Sequence, residues 1–157
     1  MFFSQIFFII LILAAATLGT LISIADFRRR IIPDAYLFPL MLIGLILIAF
    51  FPFPISFPQA VFGATFGYLL GMATGLFFDY YISKKAPAPY PPIGMGDIKL
   101  MGVGGLWLGT NGLGWALIIA CIIGAIWAKR KKQKYIPFAP FFFIGGFLSF
   151  IGNAFLL

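Results

Sequence analysis

Residues 2–30 read FFSQIFFIILILAAATLGTLISIADFRRR, and this stretch decides the fold. Residues 2–25 carry no charge, a run longer than the roughly 20 apolar residues that cross a bilayer as a helix. No Lys or Arg precedes the run, so it does not read as an ordinary cleaved signal peptide. It ends at Asp26 and the triplet Arg28, Arg29 and Arg30. An apolar helix that stops at a cluster of charge reads as a membrane span with its interfacial anchor.

The rest of the chain is of the same kind. Apolar residues make up 62% of the 157, and charged residues only 10%, where a soluble domain averages about 25% charged. So little charge does not cover the surface of a water-soluble fold, and the mean hydropathy of +1.08 points the same way. The expected architecture is all-α: one membrane-embedded domain over residues 1–157, with about six transmembrane helices. After the first span, the second starts near Pro33, which suits the first turn of a helix, and runs to about residue 51. FPFPISFP then breaks the chain. The third covers about 59–82 and carries Gly63, Gly67, Gly71 and Gly75 on one face, where a neighbouring helix can pack closely. The proline-rich stretch SKKAPAPYPPIGMGD follows. A short fourth span covers about 97–110, GTNGLG turns the chain, and a fifth covers about 114–128. KRKKQK leads to a sixth at about 136–156.

Charge gives the orientation. All eleven basic residues fall in or beside the first, third and fifth connections, and the second and fourth carry none. Alternate loops of a six-helix bundle lie on one side. By the positive-inside rule that side is cytoplasmic, and both termini lie outside. The expected location is the inner (cytoplasmic) membrane, in contact with lipid. This topology also accounts for the net charge of +7 without nucleic acid.

The residue inventory narrows the chemistry. Cys121 is the one cysteine, so no disulfide forms within the chain and no CxxC metal site exists. Histidine is absent, which removes the usual metal ligand and the usual base of nucleophilic triads. No metal or cofactor is expected. Glutamate is absent too, so acid–base chemistry rests on Asp26, Asp34, Asp79 and Asp97. The topology brings Asp26 and Asp97 to one membrane level, although 70 residues lie between them. Two carboxylates in a partly dry site can share a proton and activate water against a peptide carbonyl. For Asp26 the competing reading is an interfacial residue paired with Arg28–Arg30. Asp97 closes the sequence GMGD, where Gly94 and Gly96 permit close approach or unusual dihedrals. Asp34, just after Pro33, suits the N-terminus of the second helix, with a catalytic or substrate contact as its other reading. Asp79 reads as a partner of Lys84 or Lys85. Lys99 either acts on Asp97, contacts an acidic substrate residue, or snorkels to headgroups.

Three motifs carry a family resemblance. Asp26-Phe-Arg-Arg-Arg-Ile-Ile-Pro33-Asp34 resembles the first aspartate motif of type IV prepilin peptidases. Gly94-Met-Gly96-Asp97-Ile-Lys99-Leu-Met-Gly102 resembles their GxGD motif, with its Lys two residues on. Ile136-Pro-Phe-Ala-Pro-Phe141 is similar to their late PFGP element, with Ala139 where Gly is usual. The resemblance implies an aspartic endopeptidase with Asp26 and Asp97 as the catalytic pair. It further implies prepilin or pilin-like substrates whose basic leaders are cut on the cytoplasmic side. Larger members carry a cysteine-paired insert that methylates the new amino terminus. The chain resembles the peptidase-only branch, and no methyltransferase activity is expected. The alternatives are a proton-coupled transporter, disfavoured because both acids sit at one membrane end, and a non-catalytic scaffold. A presenilin-like protease also carries GxGD, but its partner motif reads YD, unlike the first motif here.

Overall fold

The computed structural model describes residues 2–83, 93–132 and 136–156, and these are helical almost throughout. The elements are α1 (Phe2–Arg29), α2 (Asp34–Phe50), α3 (Phe57–Ser83), α4 (Met95–Lys131) and α5 (Phe138–Leu156). Lys84, Lys85, Lys134 and nearly all of the proline-rich connection lie outside the described residues.

Three stretches are long and apolar enough to cross a membrane: Phe3–Arg29, Phe57–Tyr81 and Met95–Lys131. Asp34–Phe50 and Phe138–Gly152 are shorter apolar helices. Large apolar side chains face outward along the bundle, including Phe3, Phe50, Phe62 and Phe147. A water-soluble monomer rarely presents so much apolar surface; lipid suits it.

The expected turn over 109–114 contracts to one residue. Gly109 has φ 67 and ψ −178, conformations closed to residues with a side chain, and helical geometry resumes at once on either side. The chain reverses there. Gly67 of α3 packs against both Met101 and Leu113, which an unbroken helix would hold about 18 Å apart. Phe142 of α5 packs on Gly104 while its neighbour Phe141 packs on Gly124. The two limbs of α4, 95–108 and 110–131, therefore run side by side in opposite directions. The sequence predicts these limbs as separate spans, and what it misses is how little chain the reversal needs.

The glycine face of α3 meets the first limb of α4 backbone to backbone. A side chain at Gly63 would collide with the Gly105 carbonyl, and one at Gly67 with that of Met101. Contact loosens toward Gly75, where an added Cβ would lie 3.6 Å from the tip of Ile98. These glycines serve tight packing. On the other side, Trp107 donates its indole N–H to the Leu40 carbonyl of α2 at 3.2 Å. Buried Ser149 of α5 donates to the Gly112 carbonyl at 2.9 Å. Phe7 and Phe8 of α1 meet Phe51 at the end remote from Asp26, so α1 and α2 run antiparallel.

Candidate active site

The site lies at the end of the bundle where α1 ends and where α2, α4 and α5 begin. Its first wall is the end of α1. Asp26 is buried there, 5% exposed, and its Oδ2 accepts the Ala139 N–H at 2.8 Å. The Phe138 N–H also turns toward it. The local sequence explains why these donors are free. The first turn of any helix leaves its N–H groups without intrahelical partners. In Ile136-Pro-Phe-Ala-Pro, the prolines at 137 and 140 have no N–H, so Phe138 and Ala139 supply the donors between them. A carboxylate placed there also meets the positive end of the α5 dipole. The expected rival role for Asp26, pairing with the arginine triplet, survives in part: Arg30 adds its charge nearby, but α5 supplies the hydrogen bond.

Arg30 also shapes the chain. It takes a left-handed conformation, φ 57, and donates its N–H to the Asp26 carbonyl at 2.9 Å. That ends α1 and sends residues 31–33 toward α2. Pro33 caps α2 from just outside, with φ −72 and ψ 127, rather than forming its first turn. Asp34 is the first helical residue, as its sequence position predicts.

The second wall is the start of α4. Gly94 precedes the helix in ordinary extended geometry, φ −70 and ψ 145, and Gly96 is helical. Neither glycine of GMGD uses the unusual dihedrals the sequence allows; both serve close approach. A Cβ on Gly96 would stand 2.9 Å from the Ile32 Cβ, and one on Gly94 would stand 3.3 Å from the Asp97 carboxylate. Ile32, itself buried, thus ties the segment after Asp26 to the turn that carries Asp97. Asp97 is half-buried and lies within electrostatic reach of Asp26. A second tie runs alongside. Lys99 donates to Asp34 at 2.6 Å, with its ammonium 5.9 Å from the Phe38 ring centre. Of the roles open to Lys99, the observed one is this pairing, which the sequence does not reveal. Asp79 stands apart on α3, exposed, beside a small cavity that Met95 and Ile98 also line. Its expected lysine partners lie outside the described residues.

The described basic residues gather at the same end. Arg28 and Arg29 close α1, while Lys129, Arg130 and Lys131 close the second limb of α4. Trp127 joins them, its ring 5.9 Å from Phe27 and 5.7 Å from Phe141. Asp26, Pro33, Asp34, Gly94, Gly96, Asp97 and Lys99, all singled out in sequence, lie in one neighbourhood, and Asp79 lies outside it. The sequence reading omitted the two backbone donors of α5 from the site, although the Ile136–Phe141 motif marks their position.

Comparison with known proteins bears on this arrangement. The family profile described as the type IV leader peptidase family matches residues 6–129. Three curated relatives are all described as prepilin leader peptidase/N-methyltransferase. That of Dichelobacter nodosus is 32% identical over 140 residues, covering 86% of this chain and 46% of the relative. That of Pectobacterium carotovorum subsp. carotovorum is 31% identical over 143 residues, covering 87% and 49%. That of Escherichia coli (strain K12) is 29% identical over 134 residues, covering 82% and 56%. The chain thus spans about half the length of the curated relatives it matches. No solved structure matches it.

Proposed function

The chain belongs to the type IV leader peptidase family, and from that premise we propose that it is a membrane aspartic endopeptidase that removes the leader from prepilin or pilin-like precursors. The observation that carries this reading is that Asp26 and Asp97 lie at the same end of the bundle. Two carboxyl groups far apart in sequence stand within electrostatic reach at one end of an apolar bundle.

The chemistry follows from the pair. One carboxylate takes a proton from a water molecule as its oxygen attacks the scissile carbonyl carbon. The other carboxyl donates a proton to the leaving amide nitrogen as the C–N bond breaks. The two share one proton between them, so their titration belongs to the pair rather than to either residue. The α5 donors and the charge of Arg30 hold Asp26 in place. The ties Ile32–Gly96 and Asp34–Lys99 hold the Asp97 turn against it. Such fixed geometry keeps the reacting groups aligned without reorganisation at the moment of reaction.

The reading includes a topology. The two limbs of α4 count as separate spans, giving six, with both termini outside. The basic end of the bundle faces the cytoplasm of the inner membrane, as the positive-inside rule favours. The substrate's scissile bond then lies at the cytoplasmic membrane surface, level with the aspartates.

The test is cleavage of a co-expressed pilin-like precursor from the same genome, read by gel shift and N-terminal sequencing. Wild type trims the leader; Asp26→Asn and Asp97→Asn each slow cleavage by at least about a hundredfold while remaining in the membrane. A normal rate from either variant removes the dyad. Failure of wild type on every such precursor removes the peptidase reading and restores the scaffold and transporter alternatives.

A further inference from the structure

A groove of about 750 Å³ runs along the bundle between α1, the first limb of α4, and α5. Its near end starts one helical turn from the candidate site on two walls and beside it on the third. Ser23 lines it three residues before Asp26, Leu100 three residues after Asp97, and Pro140 next to Ala139. From there the walls continue on the same helix faces. On α1 they pass through Thr20 and Ala16 to Ile12, and on α4 through Gly104 to Trp107. Spacings of three and four residues keep each wall on the face that carries its aspartate.

The groove suits an apolar occupant. Its two hydroxyl groups on α1 are already used: Thr20 donates to the Ala16 carbonyl and Ser23 to the Gly19 carbonyl, both at 2.8 Å. It opens sideways, since Ala16, Thr20 and Phe147 are exposed along it. Its dimensions select the shape of the occupant. From Ser23 to Ile12 the wall is about 16 Å long at 1.5 Å per residue, so the mean cross-section is about 50 Å². An α-helix 10–12 Å across has a cross-section of about 80–110 Å². The groove takes about half of one, leaving the other face of that helix to lipid. The small side chains of Ala16 and Thr20 allow a helix backbone to approach closely.

Building on the peptidase reading above, we propose that this groove seats an apolar helix of the precursor, lying along α1 and α5 with its end delivered to Asp26 and Asp97. The partner is thus a membrane-embedded α-helix, and the groove rather than the loops supplies much of its binding.

Photo-crosslinking tests this. p-Benzoylphenylalanine replaces Thr20 or Phe147 in the groove, or Phe62, 71% exposed on α3, as the outward control. The probe is a co-expressed pilin-like precursor with an apolar helix of about 20 residues, and cleavage is followed in the same membranes. The expected result is capture of the precursor at positions 20 and 147 and not at 62. Capture of lipid alone at both groove positions, in membranes that cleave the precursor, overturns the groove and leaves the peptidase reading standing. Capture of the precursor without cleavage by wild type upholds docking and removes the proteolysis. Because a bulky probe itself narrows the groove, Thr20→Trp is measured alongside. Its KM for the membrane precursor rises about tenfold while kcat stays within about twofold; an unchanged KM overturns the proposal.

Discussion

Asp26 of α1 accepts the Ala139 N–H of α5 at 2.8 Å, so a buried carboxylate completes the N-terminus of a helix 113 residues away. The same group that serves the proposed chemistry also satisfies the fold. Its two duties separate on substitution. Asparagine keeps an acceptor oxygen for the Ala139 N–H; alanine leaves that donor buried and unpaired, which costs about 1–3 kcal/mol. Asp26→Ala is therefore expected to unfold in detergent at a lower temperature than Asp26→Asn, while neither cleaves precursor. Equal melting temperatures for the two variants count against the structural duty.

Gly96 makes a sharper demand. A methyl group added there meets the Ile32 Cβ at 2.9 Å, and both residues are held by their helices and turns. Overpacking of this kind costs about 1–3 kcal/mol. The strain falls on the turn that carries Asp97. Gly96→Ala should lower the cleavage rate at least tenfold, about 1.4 kcal/mol in the barrier, with the protein still inserted. A variant that cleaves as fast as wild type shows that the Ile32 contact does not position Asp97.

How much of this was legible in the sequence depends on the kind of signal. The placement of Asp26 and Asp97 at one end of the bundle was legible because charge is scarce: Asp26 closes a long apolar run, and Asp97 opens a short one after the proline-rich connection. The start of α2 was legible because Pro33 and Asp34 are both residues that helix N-termini favour. The Ala139 and Phe138 donors were not derivable, because a backbone N–H belongs to every residue except proline and carries no signature of its partner. The Asp34–Lys99 pair was hidden for another reason. Both residues have adequate local explanations, a helix dipole and a headgroup, and only the packing of α2 beside α4 brings them to 2.6 Å. The turn expected over 109–114 was too long because glycine and polar residues cluster there; the reversal uses Gly109 alone, and Thr110 to Gly114 belong to the returning limb.

The Asp34–Lys99 pair is partly exposed, with 47% and 34% of the two side chains accessible. Pairs of that kind contribute about 0–1 kcal/mol to stability, so its importance lies in register between α2 and the Asp97 turn. Asp34→Ala and Lys99→Ala should each leave thermal unfolding nearly unchanged and slow cleavage several-fold. Exchanging the charges, Asp34→Lys with Lys99→Asp, should recover more activity than either single reversal. If the double reversal is no better than the worse single one, the two residues act separately, with Lys99 meeting substrate or headgroups instead.

Gly109 gives the cleanest separation of backbone from packing. With φ 67 and ψ −178 it occupies a region open essentially to glycine alone, yet a Cβ there would find its nearest neighbour, Ile55, at an ordinary 3.8 Å. Gly109→Ala therefore creates no clash, and its cost is the backbone strain, about 1–3 kcal/mol. Gly114 offers the matched control five residues on: it is helical, with nothing within 4 Å of an added methyl group. There, alanine should stabilise by about 1 kcal/mol through helix propensity. Thermal unfolding of the two variants should move in opposite directions from wild type. Should Gly109→Ala unfold no earlier than wild type, the chain must reverse by a geometry that tolerates a side chain, and the side-by-side limbs of α4 would need another hinge.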